Sequence, residues 1–169
     1  MESAIFQNSL RLLVILLTVA QWTKAAQEIH ADKVVVLKAK RTLILYRNGN
    51  MLHSYKVSLG SNPSGAKTRQ GDGRTPEGNY ILDRRNAKSQ FYRSIHVSYP
   101  NAEDRARARK SGVSPGGDIF VHGLPNGYGA LGRLHLAHDW TNGCIAVTNE
   151  EIDEIWNLVP DGTPIDIRP

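Results

Sequence analysis

Apolar and polar positions alternate along the first half of the chain with the short period of β-strands. Val34 to Leu37 is a β-branched run, Thr42 to Tyr46 alternates apolar residues with others, and Met51 to Leu59 is again apolar-rich. Asn48-Gly49 separates the second and third of these stretches. That dipeptide is a strong hairpin signal, because both residues accept the positive φ of a tight turn. Gly60 to Gly73 is rich in Gly, Ser, Asn and Pro and reads as a long loop, after which Thr75-Pro76-Glu77-Gly78 turns into a strand over Asn79 to Leu82. Further strands are predicted at Ser94 to Ser98, Ile119 to His122, Cys144 to Val147 and Ile165 to Ile167.

Two segments switch to a helical pattern. With Asn101 as N-cap, a helix is predicted through Ala102 to Lys110, stopping at Gly112. The second follows Thr148-x-x-Glu151, a capping box, and places Ile152, Ile155, Trp156 and Val159 on one face before Pro160. Helices do not alternate with strands as a doubly wound sheet requires. The predicted fold is mostly β: a single-domain mixed β-sandwich or barrel-like arrangement with one or two short helices, including one near the C-terminus.

The amino end departs from this pattern. Arg11, the apolar run Leu12 to Ala20 and the small-x-small sequence Thr23-Lys24-Ala25 have the layout of a secretory signal. The run is shorter than the roughly 20 apolar residues a spanning helix needs. Residues 1–25 are therefore read as a signal peptide, with an uncleaved anchor as the alternative, and residues 26–169 as one catalytic-sized domain. Any membrane association is expected through that segment alone. The net charge of +5 is modest and dispersed, apart from Arg105 to Lys110, which suits an acidic polymer or a solvated helix face. No aromatic platform or nucleic-acid motif accompanies it, so nucleic-acid binding is not expected.

The chain has one cysteine, Cys144, in the run Thr141-Asn142-Gly143-Cys144-Ile145. Exported to an oxidising compartment, a lone thiol cannot join an intramolecular disulfide. It is buried and inert, paired with another chain, or kept for its reactivity. A nucleophilic thiol needs ionisation, which a nearby imidazole, a helix amino end or a turn of backbone amides promotes. His122 ends an apolar strand and is preferred as base over His138 and His135, because a strand end backed by a core fixes a ring. The group orienting its second nitrogen stays open between Asp139 and a backbone carbonyl such as that of Gly123. Gly143 lets the chain turn sharply and bring amides towards a developing oxyanion.

His122-Gly123, a glycine-containing gap and Thr141-Asn142-Gly143-Cys144-Ile145 together resemble the signature of the L,D-transpeptidase catalytic domain, whose cysteine enzymes remodel peptidoglycan. Lys67 to Asp83, with Gly71, Thr75-Pro76-Glu77-Gly78 and Tyr80-Ile81, resembles that family's loop and strand ahead of the site. The likeness covers roughly Lys33 to Arg168. It implies Cys144 as nucleophile, His122 as general base and acid, Thr141 at the family's Ser/Thr position and Gly143 before the nucleophile. It also implies attack on the third-residue carbonyl of a tetrapeptide stem, release of D-alanine, and resolution of the thioester by an amine of a second stem or of an envelope protein. Two positions depart from the pattern: Ala146 stands where Arg or Asn is common, and Asn142 where His is common.

Asn142, Arg133, Tyr128 and His138 are further substrate-binding candidates beside Thr141; Arg133 has the fork to grip a carboxylate and Tyr128 the area to cover a stem. Trp140 is read as pinning its loop, and His96 as either facing the site or packed in the core. His135-x-x-His138 lacks the third and fourth ligands of a zinc site, so no metal is expected, and the mechanism that the resemblance implies requires no organic cofactor. Rival functions are a hydrolase or D-amino-acid exchange enzyme on the same cysteine, a catalytically silent wall-binding module, and an intermolecular disulfide through Cys144. Peptidoglycan and a periplasmic or cell-wall location follow from the resemblance joined to the leader.

Overall fold

The computed structural model describes residues 29–169, so the leader expected over residues 1–25 lies outside them. The strands are β1 (Lys33–Leu37), β2 (Thr42–Arg47), β3 (Asn50–Lys56), β4 (Gly78–Ser89), β5 (Tyr92–Val97), β6 (Ile119–His122), β7 (Ile145–Ala146) and β8 (Thr163–Arg168). The helices are α1 (Ala102–Lys110) and α2 (Asn149–Leu158), and Gly129–Ala137 adds two 3-10 turns kinked at Gly132, φ +46°. All strands join one sheet in the order β3-β2-β1-β8-β4-β5-β6-β7. Mostly β, as the alternation predicts, it curls until its edges nearly meet.

Closure comes from the segment after β3. Ser58 exchanges both backbone hydrogen bonds with Ala146 at 2.9 Å, the Thr141 N–H donates to Leu59 at 3.1 Å, and the Ser61 N–H donates to Thr141 at 2.9 Å. Chain leaving one edge thus pairs with the other, which satisfies backbone groups that an open edge would expose. The turn that carries Cys144 is built into this seam.

The predicted hairpin forms, with β2 and β3 antiparallel and Asn48 and Gly49 at φ +51° and +77°. β1 is buried along its centre because β8 flanks it in parallel on one side and β2 in antiparallel on the other. Both predicted helix caps are present. Asn101 accepts from the Asp104 N–H while Asp104 accepts from the Asn101 N–H, and Thr148 and Glu151 reciprocate in the same way. α2 packs Ile152 and Ile155 against β5 and β6, each fully buried and contributing about 1.5–3 kcal/mol. That helix backs the strands that carry the site.

Differences from the sequence reading have local causes. β3 ends at Lys56 and not at Leu59, because Val57 to Gly60 leave it for the closing seam. β4 runs on to Ser89, where Asp83 to Lys88 project as a twisted hairpin arm with β5, paired on one side only. The 3-10 turns of Gly129–Ala137 lack the apolar periodicity that announces a helix.

Candidate active site

Strand alternation sorts β6 into two faces. Ile119 and Val121 enter the core, whereas Phe120 and His122 face a cleft of about 670 Å³ whose wall also includes Ser94, Trp140, Asn142 and Cys144. β7 lies parallel to β6, with His122 opposite Ala146, so the turn before β7 delivers Cys144 to the same cleft. The tip of the β4–β5 hairpin, from Asn86 to Phe91, forms the opposite rim.

His122 is buried and held on both sides of its ring. Its Nδ1 lies 2.6 Å from the Gly123 carbonyl oxygen, an acceptor only, so Nδ1 carries the proton and Nε2 the lone pair. Phe91 and Trp140 cover it with ring centroids at 4.5 and 5.9 Å. Burial therefore pulls its pKa down to about 4, against the opposing effect of the Gly123 bond and with help from the nearby His135. The imidazole is neutral at pH 7.

Asn149, the first residue of α2, fixes that carbonyl's neighbourhood. Its Oδ1 accepts the Leu124 N–H at 2.9 Å and would lie 2.7 Å from any Cβ at position 123. Gly123 is thus required by packing. Sequence reading missed Asn149, because only the fold brings α2 beneath residues 123 and 124. Asp139, the alternative orienting group, is engaged elsewhere: it accepts from Arg41 Nη2 and from the Leu59 N–H, both at 2.8 Å.

The Cys144 thiol sits against backbone. Sγ donates to the Asp118 carbonyl at 3.6 Å. Burial pushes its pKa up, outweighing the Phe120 amide and the Lys67 charge, while Asp118 adds to the rise. This corrects the expectation of a thiol lowered towards ionisation: the sulfur and imidazole are both driven to their neutral forms. Asp118 adopts φ +54°, a left-handed conformation unusual without glycine, at the point where its carbonyl meets the sulfur.

Thr141 and Gly143 shape the turn. Buried Thr141 donates from Oγ1 to the Cys144 carbonyl at 2.8 Å, and its Oγ1 accepts the Gly143 N–H at 3.1 Å. The amide read as an oxyanion donor is therefore already engaged, and the Thr141 hydroxyl read as a substrate contact holds the turn. Gly143 has φ +123°, and a Cβ there would come within 2.5 Å of the Arg74 carbonyl oxygen. At Gly60 a Cβ would overlap the Gly73 carbonyl oxygen, so the loop before β4 packs directly on the turn that carries Cys144.

That loop is braced by buried cations. Lys38 Nζ donates to the carbonyls of Gly65 and Thr75 at 2.7 and 2.9 Å and to Glu77 at 2.8 Å. Lys67 Nζ donates to Asp72 at 2.8 Å. Burial alone would raise the Asp72 pKa, but Lys67 and the amides of Thr68, Arg69 and Arg74 hold it far below the usual carboxylate range.

The remaining candidates divide. Asn142 is exposed at the rim of the cleft. Arg133 pairs with Glu151 at 3.0 Å and does not line the cleft. Tyr128 and His138 line a separate apolar cavity of about 190 Å³ on the far side of Trp140, which walls both spaces. Trp140 therefore does more than pin its loop. His135 is buried at that cavity, with Nδ1 3.2 Å from Ser58 Oγ. His96 lies 2.7 Å from Asp83 and against the Phe120 ring, and does not itself line the cleft.

Comparison with known proteins agrees with this architecture. Residues 31–167 match the YkuD family model, described as the L,D-transpeptidase catalytic domain. YafK of Escherichia coli strain K12, provisionally named an L,D-transpeptidase, is 35% identical over 133 residues, covering 75% of this chain and 46% of YafK. The crystal structure of the helical cell shape determining protein Pgp2 from Campylobacter jejuni superposes with a TM-score of 0.63 at 25% identity, over 83% of this chain and 48% of Pgp2. An L,D-transpeptidase from Mycobacterium smegmatis, at 15% identity and a TM-score of 0.52 over 82% of this chain and 59% of its own, shares the fold. The chain spans about half the length of the curated relatives it matches. With nearly all of its described residues matched, the chain belongs to the YkuD family of L,D-transpeptidase catalytic domains.

Proposed function

We propose that this chain is a peptidoglycan L,D-transpeptidase of the bacterial periplasm or cell wall, with Cys144 as nucleophile and His122 as its base. The observation that carries the reading is the His122 ring itself: its Nδ1 proton is committed to Gly123, which leaves Nε2 as a lone pair in the cleft that also contains Cys144. A neutral base beside a neutral thiol supports proton transfer concerted with attack, without a standing thiolate–imidazolium pair.

In the reaction, His122 Nε2 takes the Cys144 proton as sulfur bonds to the third-residue carbonyl carbon of a tetrapeptide stem. The Phe120 backbone amide and the Lys67 charge, which both favour the ionised sulfur, oppose its burial as charge builds there. Because Thr141 takes the Gly143 N–H, the oxyanion falls to the turn's remaining amides, that of Cys144 first. The imidazolium returns its proton to the departing D-alanine amine as the C–N bond breaks and a thioester forms. An amine of a second stem, or of an envelope protein, gives its proton to Nε2 and attacks the thioester, and sulfur leaves to recover the proton. Asn142, at the cleft rim, is placed to touch the stem. The leader-like sequence of residues 1–25 supports export to the compartment that holds this substrate.

Purified protein incubated with tetrapeptide-bearing muropeptides tests the reading by product mass. Crosslinked dimers with loss of D-alanine are expected. Shortened monomers alone would identify a hydrolase, exchange of the terminal residue would require added D-amino acid, and an unaltered mixture would favour a silent binding module.

A further inference from the structure

The cleft around Cys144 does not end at Asn142. A concavity of about 350 Å³, floored by Lys67 and Gly116, shares Asp118 and Asn142 with it. Beyond, a further concavity of about 570 Å³ shares Gly71 with the second and is lined by Arg69, Arg74 and Arg107. Shared lining residues set the three side by side, from the β4–β5 hairpin past Cys144 to the guanidinium groups.

The charge at that end is unbalanced. Asp72 lies there, but its carboxylate is consumed by Lys67 and by the amides of Thr68, Arg69 and Arg74. Arg107, drawn from the basic run of α1, shares its charge with Asp104. Arg69 is exposed and, like Arg74, has no acidic partner among the described residues. Arg74 makes a single long bond, Nη1 to the Ala66 carbonyl at 3.4 Å, and its Nε is buried with no acceptor. Two guanidinium groups thus line the same concavity with donors to spare, an arrangement that suits a planar carboxylate.

Arg74 also ties this end to the chemistry. Its backbone carbonyl abuts Gly143, while its side chain extends into the arginine-lined concavity, so the anion site and the nucleophile turn share one residue. We propose that the three concavities form a single substrate-binding surface whose arginine end, formed by Arg69 and Arg74 with Arg107 at the margin, binds a carboxylate of the peptide processed at Cys144. Peptidoglycan stems supply such groups, because γ-linked D-glutamate leaves its α-carboxylate free. The inference rests on the cysteine reading above for the identity of the peptide.

Calorimetric binding of a synthetic tetrapeptide stem to the Cys144→Ala protein tests it, using the stem with free carboxylates and the same stem fully amidated. Arg69→Glu and, separately, Arg74→Gln are expected to weaken the free-carboxylate stem by about tenfold, more at low salt than at high, and to leave the amidated stem unaffected. Arg69 is exposed, so its variant tests the site even where Arg74→Gln lowers the melting temperature. Equal affinity in parent and variants, equal loss for both stems, or failure of the parent to bind either stem would overturn the assignment. Charge-dependent binding by a protein whose wild type turns over no stem would instead overturn the cysteine reading and leave the anion site standing.

Discussion

Thr141→Val separates two roles for a residue at the centre of the site. The substitution keeps the β-branched shape and removes one hydroxyl, which is buried and makes two bonds: it donates to the Cys144 carbonyl at 2.8 Å and accepts the Gly143 N–H at 3.1 Å. Each buried partner left unsatisfied costs about 1–3 kcal/mol, and for the two partners a total of about 2 to 6 kcal/mol follows. At about 3 °C per kcal/mol for a domain of this length, that lowers the melting temperature by roughly 6 to 18 °C. The turn is also freed to relax, and because displacements of about 1 Å cost on the order of 100-fold in rate, kcat should fall while KM stays near the wild-type value. Thermal melts followed by circular dichroism, with steady-state release of D-alanine, give both quantities. An unchanged melting temperature with a raised KM would refute the reasoning and return Thr141 to the substrate.

Gly143→Ala should reduce kcat/KM by at least about 100-fold, because a methyl group at φ +123° meets the Arg74 carbonyl at 2.5 Å and the turn must shift; activity within twofold of wild type in the same assay would contradict this. Asn149→Ala removes the acceptor of the Leu124 N–H and loosens the segment that orients His122, so a loss of about 1–3 kcal/mol in urea titration and a lower kcat are expected, with Asn149→Asp restoring part of both. Stability should also depend on pH with a definite sign. His122 has a folded pKa of about 4 against an ordinary 6.5, so the unfolded chain binds its proton first as pH falls. About 3 kcal/mol is lost between pH 6.5 and 4, with no change from this group above 6.5. Urea midpoints across that range should flatten in His122→Gln, with the residual slope coming from His135, whose pKa burial also lowers.

Features of the fold with local causes were the ones the sequence made readable. Ile119–His122 is bounded as predicted, since an apolar run ends at His-Gly, and α1 and α2 start where their capping residues stand. Features with distant causes escaped. The arm of β4 is written in mostly charged residues, Asp83 to Lys88, that look like loop because β5 supports them on one side only. Arg133 looked free to grip a carboxylate because Glu151, its partner, lies in another element.

The same division holds within the site. The pairing of a strand-end histidine with a glycine-preceded cysteine was visible as a motif. The neutrality of both groups was not, because it arises from Phe91 and Trp140 closing over the imidazole and from the sulfur's burial beside Asp118. Nor could spacing show that Thr141 spends both faces of its hydroxyl on the turn, or that Arg69, Arg74 and Arg107 line one concavity.

The central claim is covalent chemistry at one sulfur, and intact-protein mass spectrometry of wild-type protein quenched in acid during turnover of a tetrapeptide stem reads it directly. The account predicts an adduct equal to the stem acyl group without its D-alanine, mapped to the peptide containing Cys144, and strongly reduced in His122→Ala. Turnover of the stem with Cys144 unmodified at every time point, and undiminished in Cys144→Ala, would contradict it.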